Sequence, residues 1–136
     1  MKTIINTDFT IPDTLKKYSG KVRDVLYLKN DLIVMIVTDR ISAFDVILPR
    51  GIPFKGQVLN QISLKMFSQT KDIVPNWLIS SPDPNVSVGV SCQPFKVEMV
   101  IRGYLSGHAA RLYNSGKHSI CGVKMPKGMI LVLASA

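Results

Sequence analysis

A single arginine, Arg102, stands between an apolar segment of strand character and a turn flanked by Gly103 and Gly107. The chain then continues in a pattern typical of a helix. A guanidinium at the end of a strand and close to a helix N-terminus suits the binding of a phosphate or a carboxylate. The spacing therefore predicts an anion site at Arg102. His108 either donates to the same anion or stands at the helix start without a ligand.

A second group of candidate residues surrounds Gly20. Lys21 and Arg23 are two apart on a predicted strand, so their side chains share a face and are able to hold phosphates. A glycine at the bend lets the backbone approach a ligand closely. The residues alone leave a second interpretation open, in which this segment is a solvated basic strand edge.

A third group follows the apolar strand that ends near Thr38. Polar residues just beyond a strand end are typical of a site loop. The carboxylate of Asp45 is a candidate for contact with an amine or a metal-bound ligand. Asp39 and Arg40 either belong to the site or form a structural turn pair.

The composition favours a folded soluble protein with one sizeable core: 136 residues, 46% hydrophobic and 19% charged. The N-terminus is a poor signal peptide, and the apolar runs are too short to cross a bilayer. Cys92 and Cys121 lack CxxC spacing, which indicates reduced thiols and a cytoplasmic location. His108 and His118 lack neighbouring ligands, so no metal site is expected.

The net charge of +8 is compatible with nucleic acid, with a small anionic substrate, or with an acidic remainder outside this sequence. Lysines and arginines are scattered through the motifs, which favours the small anion. Aromatic residues make up only 7% and do not alternate with basic ones, as a nucleic-acid stacking surface would require. We therefore expect no nucleic-acid partner.

Turn signals predict an extended segment over residues 1–14 and loops at Pro75 and over 80–84. Periodicity predicts strands over 22–28, 32–38, 46–48, 86–92 and 95–102. It predicts helices over 57–69 and from 106 or 107 to about 114. In the long helix Val58, Ile62 and Met66 predict one apolar face. The predicted class is α+β, with a mainly antiparallel sheet and packed helices.

Taken in order, the three groups resemble the N-terminal part of SAICAR synthetases. A further segment, residues 54–61, is similar to a K-G-x-x-L-N-Q element of that family. The family consists of ATP-dependent ligases that join L-aspartate to carboxyaminoimidazole ribotide in purine biosynthesis. The resemblance implies a sheet lobe that covers ATP, similar in outline to that of protein kinases. It also implies small-molecule partners and no membrane contact, while the oligomeric state stays open.

The matched motifs imply binding roles but assign no catalytic residue. They imply that ATP is bound by Gly20, Lys21, Val22, Arg23, Phe95 and Glu98. They imply that the other substrates are bound by Ser42, Asp45, Arg102, Gly107 and His108. The first four residues match an element that covers the ATP phosphates, and Phe95 belongs to the connector beneath the adenine. His108 departs from the family, because many members have serine or threonine there.

The resemblance covers residues 2–128 and stops before a charge-free tail, residues 129–136. Such a change indicates a frameshift, a misread end, a truncated gene or a short terminal strand. Family members are longer, and their second domain supplies the carboxylates that hold Mg²⁺. We therefore expect an N-terminal domain over 1–128 that is inactive alone and binds nucleotide weakly. The alternatives are a small basic nucleotide- or nucleic-acid-binding module and a non-catalytic interaction fragment.

Overall fold

The computed structural model describes residues 2–44, 46–101 and 103–130. The chain divides into two compact units, the first ending at Pro94 and the second beginning at Phe95. No helix in the described ranges is long and apolar enough to cross a membrane. The predictions for Asp45, Arg102 and most of the tail lie outside the described residues.

The first unit is built on a five-stranded antiparallel sheet, which confirms the predicted α+β class. Its elements are β1 (Thr14–Ser19), β2 (Arg23–Leu28), β3 (Leu32–Val37), β4 (Ser42–Ala43), β5 (Val46–Ile47), α1 (Lys55–Thr70), β6 (Leu78–Asp83) and β7 (Val86–Val90). The sheet order is β1-β2-β3-β7-β6, and β4 and β5 form a separate two-stranded hairpin. Strand β3 is therefore central, with β2 on one side and β7 on the other.

The predicted hairpin of β2 and β3 is confirmed. Asn30 and Asp31 both have positive φ, 61° and 56°, as expected for the tight turn that matches the twist of a two-stranded ribbon. One face of this hairpin carries the core cluster of Leu26, Val34 and Ile36, which are at most 5% exposed. The extended N-terminal residues 2–13 contribute Ile11 to the same cluster.

Helix α1 was predicted correctly, but the prediction that its apolar residues form a packed face is wrong. Val58, Ile62 and Met66 are each more than half exposed. The buried residues of the helix are Gly56 and Asn60. Asn60 accepts a hydrogen bond from the Ser87 hydroxyl at 2.8 Å and donates to the carbonyl of Pro84 at 2.9 Å. A polar network therefore fixes this helix to the sheet.

Two other strand predictions need correction. Residues 80–84 were expected to form a loop, yet Leu78–Asp83 is strand β6, which pairs with β7 through an irregular register. Pro82 is tolerated there because β6 is an edge strand. Thr14–Ser19 was not predicted as a strand, although it pairs with β2. Its side chains are mostly exposed, so no buried alternation marks it in the sequence.

The second unit contains α2 (Gly107–Asn114) and a hairpin of β8 (Ser119–Ile120) and β9 (Val123–Lys124). The predicted start of α2 is confirmed, with Ser106 at the N-cap. Gly116 ends the helix at φ 84°, where its N–H donates to the carbonyl of Tyr113 and the N–H of Lys117 donates to that of Leu112. This pair of bonds is the Schellman motif.

The predicted strand over 95–102 is wrong for its described residues, because 95–101 contain no strand. Phe95, Met99 and Ile101 are each more than 80% exposed. A strand needs a neighbour for its backbone hydrogen bonds and a surface for its apolar side chains. The structure gives this segment neither, despite its β-branched composition.

Candidate functional site

The bend at residues 20–22 joins β1 to β2 and carries the predicted phosphate-binding residues. The N–H of Gly20 donates to the carbonyl of Arg23 at 2.8 Å, which closes the bend. Lys21 and Arg23 are exposed on it. The structure thus brings Gly20, Lys21, Val22 and Arg23 together on one tight, solvent-facing turn.

Glycine is required at position 20 for close packing rather than for an unusual φ, since Gly20 is not among the glycines with positive φ. A Cβ atom added there would lie 3.1 Å from the carbonyl oxygen of Arg23 and 3.2 Å from Cε1 of Tyr18. Both distances are tighter than ordinary contacts. A side chain at this position would therefore require the Arg23 carbonyl or the Tyr18 ring to shift by a few tenths of an ångström.

The guanidinium of Arg40 holds the inner side of this bend. It donates to the carbonyl of Gly20 at 2.8 Å, to that of Lys21 at 3.4 Å and to that of Ile5 at 2.8 Å. It also forms an ion pair with Asp24, with 2.6 Å between Nη2 and Oδ1. One side chain therefore links the bend, the N-terminal segment and strand β2.

Asp24 is 2% exposed, and its carboxylate also accepts a hydrogen bond from the hydroxyl of Thr7 at 2.5 Å. Burial alone would raise the pKa of Asp24. Hydrogen bonds from Arg40, Thr7 and Ser19 and the charge of Arg40 outweigh burial and lower the pKa below its ordinary value of 3.8. Asp24 therefore stays ionised and neutralises the charge of Arg40.

Asp39 connects the strand end to helix α1. Its carboxylate accepts hydrogen bonds from the N–H of Ile4 and from the N–H of Gly56 in the first turn of α1, each at 2.9 Å. A carboxylate at this position satisfies an N–H group that the helix itself leaves unpaired and complements the positive end of the helix dipole. Asp39 therefore has a structural role at the start of α1, and Arg40 pairs with Asp24 rather than forming a turn pair with Asp39.

The remaining predicted residues fall in both units. Ser42 is half-buried in β4 of the first unit. Phe95, Glu98, Gly107 and His108 are exposed residues of the second unit. Gly107 opens α2 at φ 57°, with His108 directly after it, so these two do stand together at a helix N-terminus.

A cavity of about 140 Å³ lies beside the bend, lined in part by Val22, Arg23, Met35 and Trp77. It is smaller than the roughly 300–1,000 Å³ of a small-molecule site. A larger cavity, about 460 Å³, lies under the N-terminal segment beside Ile36, on the opposite face of the sheet. The part of the first unit next to the bend therefore offers only a fraction of the surface that a nucleotide requires.

Within the described ranges, no group of three or more His, Cys, Asp or Glu side chains is placed to hold a metal ion.

Asp24 organises the site through its ion pair with Arg40, a role that was not predicted from the sequence. The strand pattern does indicate a partner for Asp24, because Asp24 is two residues from Leu26 and therefore on the apolar face of β2. An acidic residue at an inward strand position requires a hydrogen-bonding or cationic partner. Arg40 lies sixteen residues further along the chain, and only the hairpin brings it close.

A family model described as SAICAR synthetase matches residues 16–131 of the chain. The chain belongs to the SAICAR synthetase family. A relative from Flavobacterium psychrophilum, phosphoribosylaminoimidazole-succinocarboxamide synthase, is 63% identical over 129 residues, covering 95% of this chain and 41% of that protein. A synthase of the same name from Bacteroides fragilis is 56% identical over the same share of both chains. The chain thus spans about two fifths of these members of the SAICAR synthetase family.

A solved SAICAR synthetase structure also resembles the fold. It is the SAICAR-synthase from Saccharomyces cerevisiae complexed with SAICAR, and it superposes with a TM-score of 0.75 at 26% identity. The match covers 90% of this chain and 48% of the yeast protein. The antiparallel sheet with its helices therefore corresponds to about half of a SAICAR synthetase.

Proposed function

We propose that this chain forms the N-terminal, nucleotide-binding part of a phosphoribosylaminoimidazole-succinocarboxamide synthase. The whole enzyme joins L-aspartate to carboxyaminoimidazole ribotide at the expense of ATP and gives SAICAR in de novo purine biosynthesis. The observation that carries the proposal is the 63% identity to such a synthase over 95% of this chain. We place residues 1–128 in this part, residues 129–136 in a divergent tail, and the enzyme in the cytoplasm.

The bend is the proposed site of the ATP phosphates. Lys21 and Arg23 are exposed two positions apart at a closed turn, so their charges are able to meet an anion without burial. Phe95 and Glu98 belong to the connector that we place beneath the adenine. Backbone groups read an adenine ring in such a connector, which agrees with the exposure of both side chains.

The other substrates are assigned to two sets of residues. Arg102, Gly107 and His108 hold the ribotide phosphate, and the N-terminus of α2 adds its positive dipole end at Gly107. Ser42 and Asp45 stand beside the imidazole or the aspartate. Arg102 and Asp45 carry these roles from the motif match alone.

In the proposed reaction the carboxylate of the ribotide attacks the γ-phosphorus of ATP, and ADP leaves. The amine of aspartate then attacks the acyl phosphate, a C–N bond forms, and phosphate and a proton are released. Mg²⁺ would neutralise charge on the ATP phosphates. Since the described residues do not fit a metal centre, we place its ligands in the part of the enzyme outside this sequence and expect this chain alone to be inactive.

The test uses residues 1–128 fused to the remaining length of the Flavobacterium psychrophilum relative. We expect the fusion to form SAICAR, and Lys21→Ala and Arg102→Ala each to lower kcat/KM at least about a hundredfold, the scale on which charge-stabilising groups act. Lys65→Ala and Arg50→Ala remove exposed charges elsewhere and serve as matched controls. Full activity of both site variants would contradict the assignments. A salt-sensitive oligonucleotide affinity of the chain would favour the nucleic-acid-binding alternative.

A further inference from the structure

The guanidinium of Arg40 fixes the direction of two successive peptide groups in the bend. It donates hydrogen bonds to the carbonyl oxygens of Gly20 at 2.8 Å and Lys21 at 3.4 Å. A trans peptide bond places the N–H of the next residue on the side opposite its carbonyl. Because both carbonyls point toward Arg40, the N–H groups of Lys21 and Val22 point away from it.

Successive N–H groups that point to one side form a concavity suited to an anion. Lys21 and Arg23 are exposed basic residues of the same bend. Arg40 itself adds little charge to this surface, because its guanidinium is paired with the buried carboxylate of Asp24 at 2.6 Å. Its contribution to anion binding must therefore be geometric.

We propose that Arg40 is a positioning residue that holds the bend so that the N–H groups of Lys21 and Val22 face the phosphates of a nucleoside triphosphate. This inference rests on the proposed function, since it takes ATP as the ligand of the bend. Arg40 does not touch the phosphates. It acts through the two carbonyls, with its own orientation fixed by Asp24 and by the carbonyl of Ile5.

The test compares Arg40→Lys with Arg50→Lys in the full 136-residue chain. Lysine keeps the charge but lacks the planar fork that reaches several acceptors at once. Arg50 is exposed and serves as the matched control. Two quantities are measured by NMR: the affinity for ATP and for inorganic triphosphate from shift titrations, and amide hydrogen exchange at Gly20 and in β3.

For Arg40→Lys we expect about a tenfold loss of affinity for both ligands and about tenfold faster exchange at Gly20, whose N–H is bonded to the carbonyl of Arg23. A tenfold change is the size of one lost hydrogen bond to a charged group. The β3 amides should stay within about twofold, because the core is untouched. Wild-type affinity with unchanged exchange in the bend would overturn the proposal. Equal acceleration in β3 and in the bend would also overturn it, since Arg40 would then be a merely structural residue.

A second variant keeps the test decisive if Arg40→Lys fails to fold. Asp24→Asn combined with Arg40→Met removes both buried charges together, a change that is often tolerated. It still lacks the two bonds to the bend, so the same loss of affinity is expected. Failure of the proposed function has a different signature: the wild-type chain binds neither ligand, or Lys21→Ala binds ATP as well as wild type does.

Discussion

Two segments of similar composition differ in secondary structure and in burial in this protein. Leu32–Val37 forms the central strand β3, bonded to β2 and β7, whereas residues 95–101 contain no strand. Val34 and Ile36 are at most 5% exposed, whereas Ile101 is 93% exposed. The contrast shows that β-branched composition is insufficient and that a strand forms where a neighbouring strand accepts its backbone hydrogen bonds.

The candidate site residues follow the same division. In the first unit the bend of Gly20 and Lys21 is held by hydrogen bonds from the side chain of Arg40. That side chain is only 11% exposed. In the second unit Phe95, Glu98 and His108 are exposed residues. We therefore expect substitutions to affect stability strongly around the bend and weakly around the second group.

The largest effect is expected for Arg40→Ala. It leaves the buried carboxylate of Asp24 without its partner, and breaking a buried ion pair in this way costs about 3–5 kcal/mol. The measurement is the free energy of unfolding of the first unit in urea. His108→Ala is the comparison in the second unit, and a cost for it as large as that of Arg40→Ala would break the contrast.

The two segments are compared directly by Ile36→Ala and Ile101→Ala. The first removes core contacts and should cost about 3 kcal/mol. The second removes an exposed side chain and should stay within about 0.5 kcal/mol. Denaturant midpoints of the two variants measure the difference, and equal midpoints would mean that residues 95–101 pack as a strand after all.

A third comparison uses two glycines. A Cβ atom at Gly56 would lie 2.3 Å from the carbonyl oxygen of Val37, whereas one at Gly103 would meet nothing within 4 Å. Gly56→Ala should therefore destabilise the first unit by about 2 kcal/mol through overpacking. Gly103→Ala should leave the thermal midpoint close to that of wild type. A mild effect of Gly56→Ala would mean that α1 shifts easily on the sheet.

The smallest effect concerns acid. The pKa of Asp24 is lowered below 3.8 in the folded state, so the unfolded state binds more protons at low pH. The stabilisation from this group is complete above the unfolded value of about 3.8 and is lost as pH falls through the lowered folded value. Unfolding free energies between about pH 5 and about pH 2 should fall less steeply in Asp24→Asn than in wild type. Identical slopes would contradict the burial of an ionised Asp24.

The sequence predicted the elements whose pattern is local. The turn at Asn30 and Asp31, helix α1 and the start of α2 at Gly107 all follow from neighbouring residues. β1 and β6 were missed because edge strands with exposed side chains carry no buried alternation. The packing of α1 through Gly56 and Asn60 was missed because it depends on Ser87 and Pro84, which are distant in sequence.

The candidate site likewise combines residues that are neighbours in sequence with residues that meet only in the fold. The basic bend was predictable, because Gly20, Lys21 and Arg23 lie within four consecutive residues. The assembly of Arg40, Asp24 and Thr7 was not, because these residues meet only after β2 and β3 pair and the N-terminal segment lies against them. The carboxylate of Asp39 likewise reaches Gly56 across seventeen positions of sequence.

The central claim, that the bend binds the ATP phosphates, is tested most directly by titrating ATP into the ¹⁵N-labelled chain. The account predicts that the largest saturable amide shifts fall on Gly20, Lys21, Val22 and Arg23, and that inorganic triphosphate reproduces them. Saturable shifts centred elsewhere in the chain, or no saturable shift at the bend, would contradict it.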